Sequence, residues 1–327
     1  MKHKISITLL LLGMFLLTQF IGLFVVNAYS PIHQSVYNAT SGQIELQTIE
    51  RGLPFGLETP KGEPTQNFIS IVFAFAFAFA IIFVLIKYKW KFVIKSWFFL
   101  VIALALGISI YAIIRNSVTL AMTAALMIAV ILSYIKVFRP NVFVHNITEL
   151  LIYPGIAAVF IPILTPLSVI ALLILISLYD MWAVWKSGIM QKMAKFQMEE
   201  LKLFGGFLIP TASDKVKMQI KKIKEKYQDK KMPESVKKKK FKVNIAILGG
   251  GDVIFPIIAA GVFMRSYYLQ SLFNIPGLIP ALFVIGGAFV GLTFLFAITR
   301  KGKAYPAMPY ITAGIFLGLL AWKFLVF

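Results

Sequence analysis

Two aspartates carry the chemistry that this sequence can do. Of its 13 Asp and Glu residues, Glu45, Glu50, Glu58 and Glu63 share one polar stretch, and Glu199, Glu200, Asp214, Glu225, Asp229 and Glu234 lie in a lysine-rich one. Three remain near or inside long apolar runs: Glu149, Asp180 and Asp252. Glu149 closes "NITE", so Asn146, three residues earlier, makes it read as the acid of a capping box at a helix start. Asp180, in "LLILISLYDMWAVW", and Asp252, in "NIAILGGGDVIFP", have no such local explanation. A carboxylate at the centre of a bilayer costs about 2.5–3.5 kcal/mol on insertion scales. Two of them side by side disfavour joint ionisation and so hold one proton between them. The ionised member can draw a proton from water, while the protonated member polarises a peptide carbonyl and later protonates the leaving nitrogen. That chemistry needs no metal and no cofactor. The same pair can also relay protons or cations through a membrane transporter or channel.

Other chemistries are short of residues. The chain has no cysteine, which removes disulfides, thiolate catalysis and sulfur-ligated metals. Its three histidines, His3, His33 and His145, are far apart, and neither H-E-x-x-H nor G-x-S-x-G occurs. No metal site and no cofactor is expected. The net charge of +20 raises the question of nucleic acid, but the basic residues cluster in the loops between apolar runs. There they act as topology signals and attract anionic lipid.

The elements that must position the two acids are membrane helices. The chain is 59% hydrophobic and 14% charged, and its apolar residues come in runs of the length, about 20 residues, that crosses a bilayer. Run one is 5–27, taken as a retained helix rather than a cleaved signal. A polar loop, 28–67, separates it from run two, 68–86. Residues 92–135 would reach roughly 66 Å as one helix, so Arg115 and Asn116 divide runs three and four. Residues 142–185 divide at "PILTP" into runs five and six. The hydrophilic stretch 186–242 follows, then runs seven to nine at about 243–264, 278–299 and 304–325. The expected fold is an all-α polytopic membrane protein with about nine spans. Its parts would be a membrane segment 1–185, a basic loop 186–242 and a membrane segment 243–327, forming one integrated membrane domain. With the N-terminus in the cytoplasm, the inner segments collect Lys2, Lys4, Lys87, Lys89, Lys91, Lys95, Lys136, Arg139, the basic loop, Arg300, Lys301 and Lys303. Only Arg51, Lys61, Arg115, Arg265 and Lys323 fall outside, which sets this orientation, with the C-terminus outside. Within the loop, Val216, Ile220, Ile223 and Tyr227 recur at helical spacing among lysines, as in an amphipathic helix on the inner leaflet.

Asp180 lies six residues before Lys186, about 9 Å inward, and Asp252 ten residues after Lys242, about 15 Å inward. Runs six and seven are antiparallel neighbours, so contact between them would bring the two acids together. Gly249, Gly250 and Gly251 weaken a helix and permit close backbone approach. Pro256 deprives the Asp252 carbonyl of its helical donor. On these grounds the glycines read as a hinge and the proline as a kink around Asp252. At run nine, "AYPAMPYITAG" places Pro306 and Pro309 where a helix start or a distorted segment suits them.

In order along the chain, "YD", "GGGD" and "PAMP", on the sixth, seventh and ninth of nine spans, resemble the presenilin and signal peptide peptidase family of intramembrane aspartic proteases. The closest resemblance is to microbial, archaeal presenilin-like members, and it extends over essentially the whole chain. It implies that Asp180 and Asp252 are the catalytic aspartates and that Tyr179, Gly249, Gly250 and Gly251 support them. It implies that Pro306, Ala307 and Met308 form the segment beside the active site that engages substrate. The implied partners are the transmembrane segments of other proteins, with membrane lipid around them and no nucleic acid. Gly250 and Met308 depart from the leucines common in the family, the first at a variable position and the second with a side chain of similar size. A transporter, a prepilin-type peptidase and a non-catalytic scaffold are the competing readings.

Overall fold

The computed structural model describes residues 5–38, 43–58, 64–88, 90–187, 197, 203–211, 218–219, 244–299 and 305–326. Within them run nine α-helices: α1 (Ile5–Tyr29), α2 (Pro64–Lys87), α3 (Lys91–Ile114), α4 (Ala121–Phe138), α5 (Val142–Phe160), α6 (Pro166–Trp182), α7 (Gly250–Ser266), α8 (Leu278–Ile298) and α9 (Met308–Val326). Two antiparallel strand pairs accompany them: β1 (Ile32–Asn38) with β2 (Gln43–Ile49), and β3 (Gly206–Thr211) with β4 (Asn244–Gly249). The expected breaks hold. Arg115 caps α3, and a 3₁₀ turn at Ile161–Ile163 leads to Thr165, whose side chain and that of Ser168 form a reciprocal capping box opening α6. Among the described residues, seven helices (α1, α3, α4, α5, α6, α8 and α9) are long and apolar enough to cross a membrane. The chain is a multi-pass membrane protein. The inferred amphipathic helix within 213–229 and almost all of the loop 186–242 lie outside the described residues.

The core gathers α1, α5, α6, α7, α8 and α9 around α7, where Val253, Ile257, Ala259, Ala260 and Val262 are fully enclosed. Helices α8 and α9 approach closely. A Cβ at Gly287, Gly291, Gly314 or Gly318 would run into main-chain carbonyls of the opposite helix, so glycine sets their separation. A second cluster joins α3, α4 and α5.

Three local readings need correction. Run seven is not helical from 243: residues 244–249 form β4, and the helix starts at Gly250. A 17-residue α7 spans about 26 Å, short of the roughly 30 Å hydrocarbon core, and β4 continues its path. The glycine triplet is thus a strand-to-helix junction, with Gly249 as N-cap in extended backbone. None of the three glycines has positive φ. Finally, Glu149 does not cap α5. That N-cap is Asn141, whose side chain accepts from the Phe143 and Val144 amides. Glu149 sits two turns in, 2% exposed, and accepts from Lys136 Nζ at 2.7 Å. Lys136, counted above as a topology charge, is itself 3% exposed.

Candidate active site

Asp180 occupies the last turn of α6 and is 6% exposed. The C-terminal end of its own helix disfavours a negative charge. Its hydrogen bonds come from elsewhere: the Met308 amide donates to Asp180 Oδ2 at 3.0 Å, and the Ala307 amide donates to the same carboxylate. Asp180 therefore caps α9 from another helix, and "PAMP" supplies the donors. One turn earlier, Ser177 Oγ donates to Thr312 Oγ1 at 2.8 Å and fixes α6 against α9.

Asp252 lies in the first turn of α7, three residues after the N-cap. Its carboxylate turns back to accept from the Gly249 amide, which is one half of a capping box. It is half-buried and lines a cavity of about 120 Å³. Ile247 and Leu248 of β4, Leu292, Leu295, Phe296 and Thr299 near the end of α8, and Tyr305 and Ala307 complete the lining. Asp180 and Asp252 are close enough for their charges to interact. The cavity has room for several water molecules but not for a helix, which is 10–12 Å across with its side chains.

The glycines serve close packing. A Cβ on Gly249 would lie 3.0 Å from Asp252 Oδ2, and one on Gly250 would lie 2.8 Å from the Tyr153 hydroxyl. On Gly251 it would meet only Phe255 Cε2 and Cδ2, at 3.6 and 3.9 Å, leaving that surface open. Tyr179 is 46% exposed, with its ring 6.2 Å from that of Trp182. Pro306 and Met308 are buried and Ala307 half-buried, at the start of α9. Pro256 lies inside α7 and brings no N–H to the Asp252 carbonyl, and the neighbouring Val253 carbonyl accepts from Gln19 Nε2 of α1 at 3.0 Å.

β3 and β4 stand beside the pair. The Gly250 amide donates to the Gly205 carbonyl, so alternate residues 246, 248 and 250 of the second strand face β3. The outer edge of β3 is occupied. Asn146 Nδ2 donates to the Leu208 carbonyl at 2.8 Å, the Leu208 amide donates to Asn146 Oδ1 at 2.9 Å, and Pro210 has no amide hydrogen. The main-chain groups of Ile245 and Ile247 point the other way, to an edge without hydrogen bonds among the described residues. That edge runs into the Asp252 cavity through Ile247. The sequence reading expected an extended substrate to pair with backbone near the run-seven end or "PAMP", but found neither the strands β3 and β4 nor the Lys136–Glu149 pair. The i,i+4 spacing of His145 and Glu149 was the available signal for the pair.

A mostly helical membrane fold with a carboxylate pair between its sixth, seventh and ninth helices defines a class of protein, and comparison with known proteins agrees. The profile of the family described as "Signal-peptide peptidase, presenilin aspartyl protease" matches residues 51–326. The chain belongs to this family of aspartyl proteases. Two solved structures of a presenilin family intramembrane aspartate protease, in C222 and P2 space groups, share its fold. The first aligns at 20% identity and TM-score 0.57 over 97% of this chain and 99% of the other, and the second at 20% and 0.55 over 96% of each. No curated protein matches the sequence.

Proposed function

We propose that the protein is an intramembrane endopeptidase that hydrolyses peptide bonds within or near transmembrane helices of other proteins, with Asp180 and Asp252 as its acid–base pair. The observation that carries this reading is the convergence of the two carboxyls, each held by the amides of a helix start, next to a small cavity. Between them the pair carries one proton. The ionised member removes a proton from a water as that water's oxygen bonds to the scissile carbonyl carbon. The protonated member donates to the carbonyl oxygen, giving a tetrahedral diol. Collapse of the diol breaks the C–N bond, the nitrogen takes a proton from one carboxyl, and a carboxyl and an amine leave with the pair again sharing one proton. No metal or cofactor enters.

A helical peptide bond is shielded by its own turn, and the cavity excludes a helix, so the substrate unwinds. The open edge of β4 offers its main-chain groups to an extended segment, in the manner of strand addition, and leads it to Asp252. Pro306, Ala307 and Met308 face the other carboxylate and complete the slot. The positive-inside rule supports a cytoplasmic N-terminus and loop 186–242, with 1–185 and 243–327 read as one membrane unit.

The test is separate Asp180→Asn and Asp252→Asn substitution in purified protein, assayed in liposomes on a synthetic single-span peptide with an apolar core of about 20 residues flanked by lysines. Either change abolishes cleavage while the protein stays folded, and a transition-state-analogue aspartic protease inhibitor competes with the peptide. Substantial activity in either mutant overturns the assignment.

A further inference from the structure

We infer that His145 and Asn146 of α5, with the buried Lys136–Glu149 pair behind them, are positioning residues that clamp β3 and thereby hold the β4 edge ready for an extended substrate. The inference rests on the peptidase reading above and deepens it.

A two-stranded sheet is marginal by itself. Here β4 runs straight into α7, and β3 has its own anchor on α5. Three consecutive outward main-chain groups of β3 find that anchor in two adjacent side chains. The Gly206 carbonyl bonds His145 Nε2 at 2.7 Å, and both groups of Leu208 bond Asn146. Asn146 acts as one residue of a third strand. Below the sheet, Phe207 is fully enclosed and meets the Tyr153 ring edge-on at 5.9 Å.

The ion pair sets the histidine. A carbonyl oxygen only accepts, so His145 Nε2 carries the hydrogen that bonds Gly206. Nδ1 is then the acceptor, and Lys136 Nζ donates to it at 3.0 Å. Lys136 also donates to Glu149 Oε1 at 2.7 Å and reaches the His145 carbonyl at 3.5 Å, while Glu149 Oε1 lies 3.6 Å from His145 Nε2. The imidazole is thus neutral, with its tautomer and ring orientation fixed by the ammonium. The carboxylate balances that ammonium where neither meets solvent. Three charged or polar side chains on α4 and α5 therefore serve one backbone carbonyl on β3. That investment of buried polarity suits a strand whose placement matters more than its own stability.

The clamp acts on substrate capture and leaves the aspartates untouched, so its signature is a split between KM and kcat. With the single-span peptide in liposomes, Asn146→Ala and His145→Ala raise KM about tenfold, the factor for one net hydrogen bond, and change kcat far less. His145→Gln keeps an N–H near Nε2 and restores most of the affinity. Tyr29→Phe removes a buried bond at the far end of the bundle, from the Tyr29 hydroxyl to the Ile108 carbonyl at 2.7 Å, and leaves KM unchanged. Folded alanine variants with wild-type KM overturn the inference, as does an equal rise in KM in Tyr29→Phe. If the alanine variants do not fold, hydrogen exchange on the wild-type protein decides. A Leu208 amide protected more strongly than those of Ile245 and Ile247 supports the clamp, and equal exchange refutes it. Asp252→Asn in the same assay keeps the two readings apart. Residual cleavage there defeats the peptidase reading, whereas a dead Asp252→Asn with wild-type KM in both alanine variants defeats the clamp alone.

Discussion

Adding one methyl group at Gly250 tests how tightly the start of α7 is seated. The new Cβ would lie 2.8 Å from the Tyr153 hydroxyl oxygen, 3.0 Å from Cε1 and 3.2 Å from Cζ, where ordinary contact begins at 3.4 Å. About 0.6 Å must be found. Tyr153 is 4% exposed and packed edge-on against the fully enclosed Phe207, so its ring has no free space to enter. Overpacking of this kind costs about 1–3 kcal/mol, and the helix propensity gained from Gly→Ala returns up to about 1. The net loss in stability is therefore small, about 0–2 kcal/mol. Activity is more sensitive, because the residue displaced is two positions from Asp252, and a misplacement of about 1 Å can cost 10²-fold. Gly250→Ala should lower kcat/KM on the single-span peptide by about tenfold or more, with little change in thermal unfolding. The Tyr153 hydroxyl has the Glu149 carboxylate near it but no well-formed hydrogen bond among the described residues, so Tyr153→Phe should change stability by no more than about 1 kcal/mol. By removing the nearest atom it should return part of the activity lost in Gly250→Ala, with a coupling of at least about 0.5 kcal/mol in a double-mutant cycle. A wild-type kcat/KM in Gly250→Ala, or strict additivity in the double mutant, would refute the argument that this contact seats Asp252.

Three further outcomes are expected. Lys136→Met strands Glu149 in the core and should destabilise the protein by about 3–5 kcal/mol in denaturant unfolding, while Lys136→Met combined with Glu149→Met should recover most of that loss. Asp180→Ala removes the acceptor for the Ala307 and Met308 amides and should lower stability by about 1 kcal/mol, whereas Asp180→Asn keeps an acceptor and should lose less, although both are inactive. A reporter placed in the loop 186–242 should be labelled from the cytoplasmic side of intact cells, and labelling from outside would reverse the orientation drawn from charge.

Much of the architecture was legible because bilayer thickness forces a length on apolar runs, and charge or proline must mark their ends. Arg115 and the Pro162–Pro166 pair divide the double-length stretches where the helices do end. The pairing of Asp180 with Asp252 was legible by elimination, since every other acid, Glu149 included, had a local explanation in the sequence. Glu149 misled because "NITE" satisfies a local rule, whereas its partner Lys136 is reached only by packing α4 on α5. The strands were hidden for a related reason. "NIAILG" is apolar and short, so periodicity cannot separate a buried strand from the first turns of a helix. What decides for a strand is β3, which precedes β4 by a long stretch, and the side chain of Asn146 on α5 that holds it.

The start of α9 closes an account that the sequence leaves open. A helix begins with N–H groups that have no intrahelical acceptor, and buried ones must be satisfied. Ala307 is the residue before the first turn of α9, Met308 begins that turn, and Pro309 brings no N–H at all. The Tyr310 and Ile311 amides both reach back to the Ala307 carbonyl at 3.2 Å. That leaves the amides of Ala307 and Met308, and both go to Asp180. Pro309 thus removes a donor that would otherwise compete for the same carboxylate. At α7 the pattern recurs with different parts: the N-cap amide of Gly249 goes to Asp252, and the Gly250 amide goes to the strand. Each aspartate is held by the beginning of a helix, Asp252 by its own and Asp180 by another. The helix starts place the acids, and the acids complete the helix starts, so neither can shift without exposing unpaired amides in a place that has little water to satisfy them.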